Sequence, residues 1–553
     1  MNRAADILVA SLIQHDIDRV FCVPGESYLS VLDAMVDAAD LQVVTARHEG
    51  GAGFMAVADA KLSGRTAVAF VSRGPGAMNA AIAVHTAQQD AVPMILFVGQ
   101  VERPHLGMNA FQEVDHARLF APMCKWTAEV HDPARLADIV ATAFHRARAG
   151  TPGPVVISLP EDMLEETVAE APVPVRGPTR AAAATSDIEA LRKQIAAARR
   201  PLIVAGGLLQ TEAGRSALLR VAEGFGLPVA AAVRQIDVID NDHPNYAGHM
   251  GYGAPGALIA ALSQSDLVLA VGARLGDVTS QGYSFPAAPC PAQPVVQVWP
   301  DAAELGSFRD LALGIAADPV EVLSQLAAVA PEAPRRAHLD WCHDLHAGAL
   351  RLRQWDGPAE AEDGVVFGAF VRAVDAMLAD DAIIASDAGN FGAWVQKAIR
   401  FGGNRRMLGP CSGAMGFGVP AAVAASLRFP GRQVIGFAGD GGMLMTGNEL
   451  ATAMQYGASP ILVVSDNGSY GTIRMHQEKT FPNRLAMTDL KNPDFRAWGE
   501  SFGALAFQIN RADEIRPTLQ EALSARRPVF ISVRTSLEYI SPNSTISQLA
   551  KRG

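Results

Sequence analysis

Five cysteines in 553 residues, Cys22, Cys124, Cys290, Cys342 and Cys411, are scattered, odd in number and without a C-x-x-C pair. That pattern speaks against a disulfide framework and against a zinc site, and it suits a reducing cytoplasm. Basic charge is short as well: 46 Lys and Arg against 57 Asp and Glu leave a formal net charge of -11. A surface built to neutralise nucleic-acid phosphates is therefore not expected. No apolar run reaches the roughly 18 residues that would span a bilayer. The N-terminus mixes Arg3, Asp6, Gln14 and His15 into an apolar pattern of helical period, unlike the basic start and unbroken apolar core of an export signal. The expectation is a soluble cytoplasmic protein with neither membrane nor nucleic acid as partner.

What is present is a large apolar fraction, 49% of residues, enough for three or so full-sized cores. Short β-rich apolar runs alternate with helical stretches, the rhythm of α/β architecture with parallel sheets. In the first block Arg19–Val23, Gln42–Thr45, Thr66–Val71, Pro93–Val98 and Pro154–Leu159 read as buried strands. The Pro- and Ala-rich stretch 171–186 carries little periodicity and reads as a linker. A second block has strands near Pro201–Ala205, Pro228–Val233, Asp266–Val271 and Pro294–Trp299, and becomes irregular around Pro331–Arg336. The third block repeats the rhythm of the first at Ala382–Ser386, Gln433–Ala438, Pro460–Ser465, Leu505–Ile509 and Pro528–Val533. The predicted organisation is three open parallel-sheet domains, 1–170, 187–340 and 350–553, the outer two similar and flanking a distinct central one.

The most informative segment runs from Val434 to Arg474. An apolar strand meets Gly439-Asp440-Gly441-Gly442 and then a helical stretch, where glycines let backbone amides approach an anionic ligand closely. After that helix a second strand delivers Asp466-Asn467-Gly468-Ser469 to the same sheet edge, the usual ligand position of an open parallel sheet. Asp440 and Asn467 are expected to converge. A carboxylate, an amide oxygen and phosphate oxygens form a hard oxygen set that suits Mg²⁺, so the predicted ligand is a metal-bound diphosphate. Either dipeptide alone would be an ordinary turn; their spacing and strand contexts argue together.

A Gly-Asp-Gly followed after 27 positions by Asn467 resembles the motif of thiamine-diphosphate-dependent enzymes. The resemblance implies that Asp440, the Asn467 side chain and the Ser469 carbonyl ligate the metal. Gly439, Gly441, Gly442, Tyr470 and Gly471 would line the diphosphate, with Gly389 and Asn390 also at the cofactor. Asp466 departs from the pattern, which usually has Asn there. Met415, within Ser412-Gly413-Ala414-Met415-Gly416, would prop the coenzyme in a bent shape while the Gly413 carbonyl meets its amino group. Arg47-His48-Glu49 is similar to the family's RHE motif, whose glutamate hydrogen-bonds the aminopyrimidine ring and lets that ring deprotonate the thiazolium carbon. Asn79 joins the cofactor set. Because the glutamate and the diphosphate site belong to different chains in the family, a homodimer or homotetramer with active sites at the subunit interface is implied.

Across nearly the whole chain the resemblance is nearest to acetolactate-synthase-like enzymes, through Pro24-Gly25-Glu26-Ser27, the run from Ser72 to Asn79, Val98 to Val101, and Ala110-Phe111-Gln112-Glu113. Phe111 and Gln112 match an active-site pair. Two signatures depart: an R-F-D-D-R segment stands here as Arg274-Leu275-Gly276-Asp277-Val278, and a substrate-side tryptophan aligns with His476. His476 and Glu26 are accordingly the candidates for substrate-specific polar groups. The implied reaction is decarboxylation of a 2-oxo acid, followed by carboligation to a second carbonyl compound. A decarboxylase or lyase releasing an aldehyde, and a catalytically silent cofactor-binding homologue, stand as alternatives. A dinucleotide oxidoreductase lacks its G-x-G-x-x-G signal here. Flavin in the central domain is left open, with His249-Met250-Gly251 and Arg274 resembling parts of such a site.

Overall fold

In the computed structural model, which describes residues 2–177 and 179–551, three six-stranded sheets follow one another along the chain. The first holds β1 (Arg19–Cys22), β2 (Gln42–Thr45), β3 (Ala67–Ser72), β4 (Met94–Gln100), β5 (Trp126–Glu129) and β6 (Pro154–Pro160). The second holds β7 (Pro201–Ala205), β8 (Val229–Ala231), β9 (Tyr246–His249), β10 (Leu267–Val271), β11 (Val295–Trp299) and β12 (Leu313–Ala316). The third holds β13 (Ile383–Ser386), β14 (Arg406–Leu408), β15 (Val434–Gly439), β16 (Ile461–Asp466), β17 (Leu505–Ile509) and β18 (Val529–Arg534). All pairings within these sheets are parallel.

The outer sheets share one topology. Their orders, β2-β1-β3-β4-β6-β5 and β14-β13-β15-β16-β18-β17, coincide strand for strand, whereas the middle sheet runs β9-β8-β7-β10-β11-β12. The middle order is that of dinucleotide-binding sheets, and in each sheet the direction of winding reverses beside the first strand, where parallel sheets open a crevice at the strands' carboxyl ends. Central strands such as β4 and β6 are buried along their whole length, which explains why they read as unbroken apolar runs.

Five of the prolines expected to open strands, Pro93, Pro228, Pro294, Pro460 and Pro528, lie just outside them, since proline has no amide hydrogen for the ladder. Beyond the linker, the helix Arg336–Arg353 runs through residue 340 and packs Trp341 and Leu345 on the middle sheet, so this unit extends past its expected limit. The linker's described residues carry no helix or strand until Thr185, where a helix begins.

One core joins the outer units within a single chain. Helix Glu49–Ser63 packs on helix Gly418–Arg428, and both consist largely of small residues buried almost all round. Phe54 meets Phe417 edge to face with ring centroids 5.5 Å apart. Among the described residues, no helix is long and apolar enough to cross a membrane.

Candidate active site

At the winding reversal of the third sheet, between the carboxyl ends of β13 and β15, lies a cavity of about 250 Å³. The loops after β13, β15 and β16 bring Gly389, Asn390, Gly439, Asp440, Gly441, Gly442, Asn467, Ser469, Tyr470 and Gly471 to its wall, and the turn at Gly413 and Met415 closes one side. Phe367, Phe391 and Trp394 form an apolar flank.

The polar end is built around one amide. Ser469 N–H donates to both the Asp440 carboxylate (3.2 Å) and the Asn467 side-chain oxygen (3.1 Å), so those two side chains converge. Asp440 also accepts from Gly441 N–H at 2.9 Å and from the Asn492 amide at 2.9 Å. Asn492 donates in turn to Asp466 at 2.7 Å, bridging two carboxylates. All of Asp440's hydrogen-bond partners are neutral, and burial, with Asp466 nearby, pushes its carboxyl up. A divalent cation is the species that would reverse this penalty, so the donor set fits Mg²⁺. Tyr470 and Gly471 stand at the start of helix Gly471–Thr480; their own amides donate to the Thr488 and Ser469 carbonyls at 2.8 and 2.7 Å, and the positive end of the helix favours an anion.

The glycines are demanded by close approach. A Cβ on Gly441 would lie 2.5 Å from the Tyr470 ring, and one on Gly442 would collide with the Asp387 carboxylate. Asp387, fully buried, accepts from Ala388 N–H (2.7 Å), Gly416 N–H (2.9 Å) and Phe417 N–H (3.2 Å), which fixes the Gly413–Gly416 turn. Burial pushes its carboxyl up to about 6.

Glu49 is elsewhere in the chain. It is the first residue of helix Glu49–Ser63, just beyond β2, with His48 as N-cap, and its carboxylate accepts from the Asn79 amide at 2.9 Å. Neither Glu49 nor Asn79 is in the lining of the cavity of the same chain. Asn79 sits on helix Arg73–Gln89, at whose start Arg73 bonds Glu26 (3.1 Å) and Glu161 (2.9 Å), and Gly74 N–H donates to the Gln112 carbonyl (3.0 Å). Glu26, Gln112 and Glu49 thus border one helix. Phe111 is 73% exposed and His476 lies on the exposed side of helix Gly471–Thr480, outside the cavity wall.

Sequence reasoning passed over Arg73, Asp387 and Asn492. Arg73 lay inside a quoted motif and Asp387 directly follows a predicted strand, so both were within reach; Asn492 belongs to no motif and its role emerges only from the folded geometry. A larger crevice, about 1070 Å³, opens where the three units meet, lined by paired charges such as Lys61 with Asp90 and Arg406 with Asp237.

Comparison with known proteins gives three family models in chain order. The N-terminal TPP binding domain of thiamine pyrophosphate enzymes matches residues 2–119, the central domain 188–326 and the C-terminal TPP binding domain 387–533. The acetolactate synthase large subunit of Parasynechococcus marenigrum is 32% identical over 96% of this chain and 87% of its own. Acetolactate synthase isozyme 1 large subunit of Escherichia coli is 31% identical over 97% and 94%, and a probable acetolactate synthase large subunit of Methanocaldococcus jannaschii is 29% identical over 96% and 91%.

Proposed function

Because the chain belongs to the thiamine pyrophosphate enzyme family, we propose that its C-terminal cavity holds the coenzyme's diphosphate with Mg²⁺ and that Glu49 serves the coenzyme's other end in a neighbouring copy. The chain is an acetolactate-synthase-like enzyme acting on 2-oxo acids by decarboxylation and carboligation. The observation that carries the site assignment is the convergence of Asp440 and Asn467 on the Ser469 amide.

Bound there, thiamine diphosphate would supply a nucleophilic carbon and an electron sink for the loss of CO₂. Asp440, the Asn467 side chain and the Ser469 carbonyl would hold the metal, and Gly441, Gly442, Tyr470 and Gly471 would line the diphosphate. Met415 would keep the coenzyme bent. The flank of Phe367, Phe391 and Trp394 excludes water, which strengthens every electrostatic contact inside. The Glu49 carboxyl, oriented by Asn79, would exchange a proton with the aminopyrimidine nitrogen. Phe111, Gln112, Glu26 and His476 are proposed on the substrate side.

Exposed apolar side chains support a second copy over the site. Met78 and Ile82 (56% and 41% exposed) flank Asn79, and Leu444 and Met445 (47% and 48%) lie on the helix that starts at Asp440. A homodimer or homotetramer fits this rim. For flavin, the middle strand order and the unpartnered buried atoms His249 Nε2, Gln396 Oε1 and Arg234 Nε favour a ligand, whereas Arg274 is already bonded to Glu304 and to the Gln88 and Gln89 carbonyls. An absorption scan for flavin bands decides that point.

The test of the main reading is thermal stabilisation. Thiamine diphosphate with Mg²⁺ is expected to raise the melting temperature and NAD(P) to leave it unchanged; the reverse result removes the assignment. Screening 2-oxo acids for CO₂, with and without carbonyl acceptors, then identifies donor and acceptor.

A further inference from the structure

The residues that lead into Glu49 are held by the C-terminal unit of the same chain. Thr45 N–H donates to Tyr456 Oη at 2.8 Å, Arg47 Nη2 donates to Gln455 Oε1 at 2.5 Å, and the N–H groups of Arg47 and His48 each donate to Glu449 Oε1 at 3.1 Å. The start of a helix leaves amides without intrahelical acceptors. The His48 ring takes that of Gly50, and the Glu449 carboxylate takes the two just ahead of Glu49. A negative group is favoured at this helix end.

Glu449 has no exposed surface, and its second oxygen accepts from Thr452 Oγ1 at 2.6 Å. Burial pushes its carboxyl up against the opposing pull of the Thr452, Arg47 and His48 donors. Gly51, the third residue of the helix, leaves room for it: any Cβ there would collide with Glu449. Glu449 itself comes three residues after the end of helix Asp440–Thr446, whose first residues line the cavity.

We propose that Glu449 is a positioning residue for catalysis, which fixes Glu49 through the backbone amides of Arg47 and His48 without touching coenzyme or substrate. The proposal rests on the reading that Glu49 activates the coenzyme. In the dimer of that reading, Glu449 sits in the unit that binds one diphosphate while the Glu49 it fixes serves the neighbouring coenzyme.

The experiment uses the full chain loaded with thiamine diphosphate and Mg²⁺ and follows deuterium exchange at the coenzyme's reactive ring carbon by quenched NMR, beside coenzyme affinity, kcat and KM. Wild type and Glu49→Gln come first: absence of accelerated exchange in wild type, or no slowing in Glu49→Gln, defeats the underlying reading whatever Glu449 does. With those controls in place, Glu449→Gln, which keeps one acceptor oxygen, is expected to slow exchange and kcat about tenfold, and Glu449→Ala about 10²-fold, the scale of a small misplacement of a catalytic group. Coenzyme affinity and KM stay at wild-type values. Gly51→Ala slows exchange in the wild-type background and adds little to Glu449→Ala, because its collision partner is gone. Wild-type exchange in both Glu449→Gln and Gly51→Ala, losses that track coenzyme affinity, or strictly additive effects of Gly51→Ala and Glu449→Ala would overturn the proposal. If Glu449→Ala does not fold, Glu449→Gln and Gly51→Ala decide.

Discussion

The first and third sheets have the same strand order, yet their winding reversals are built differently, and the third opens a cavity there. There, Gly389 and Gly439 to Gly442 border a space with an oxygen-rich end and an apolar flank between the loops after β13 and β15. At the equivalent point of the first sheet, Gly25 lies against Ser72, and the Ser27 and Ser72 hydroxyls are bonded at 2.8 Å. The loops close on each other, and the polar chemistry moves outward to Arg73, Gln112 and Glu49. Topology names where a crevice is permitted; the residues of two loops decide whether it exists.

The largest expected effect breaks the comparison at its catalytic end. Glu49→Gln should lower turnover by about 10² to 10⁴-fold, the usual worth of a positioned acid–base group, while coenzyme with Mg²⁺ still raises the melting temperature. Asp440→Ala should do the converse in binding: at 100 times the wild-type Kd, the roughly 2.7 kcal/mol of stabilisation by the ligands disappears. A variant pair with these outcomes exchanged would reverse the division of labour between the two sheets.

A smaller effect separates the sheets by pH. Burial lowers His116, bonded to Ser158 at the end of the first sheet, to about 4 from the usual 6.5, so its contribution is full above 6.5 and fades as pH falls toward 4. One such group is worth about 2 kcal/mol by pH 5. Asp387, just after β13 of the third sheet, is raised to about 6, so its contribution is present at low pH and fades as pH rises through 6. Denaturant midpoints of metal-free protein should therefore fall less on acidification in His116→Gln and more steeply in Asp387→Asn than in wild type. The smallest effect is Asn492→Ala: an outer partner of Asp440 is lost, and Mg²⁺ affinity by calorimetry should weaken about tenfold.

Much of this arrangement was legible in the sequence, and the rest was not for reasons that can be named. Strands buried on both faces, such as β4 and β16, read directly. The missed strands are all sheet edges. Trp126–Glu129 is half-buried throughout and Leu313–Ala316 half exposed, so neither is a clean apolar run. Tyr246–His249 is buried but carries Gly248 and His249, and Arg406–Leu408 has only three residues. In the site, residues joined by short loops at strand ends were readable from spacing. The bridge from Asn492 to Asp440 and Asp466, and the grip of Glu449 on Arg47 and His48, span parts of the chain that no local pattern connects.

The shared core of helices Glu49–Ser63 and Gly418–Arg428 sets a timetable for the newborn chain. The second helix begins 355 residues after the first one ends. At about 5–20 residues per second, a ribosome delivers it roughly 20–70 s later. For that interval the alanine-rich flank of the early helix has no native cover, so nascent chains stalled before residue 418 would be natural clients of chaperones and the ones most prone to clump.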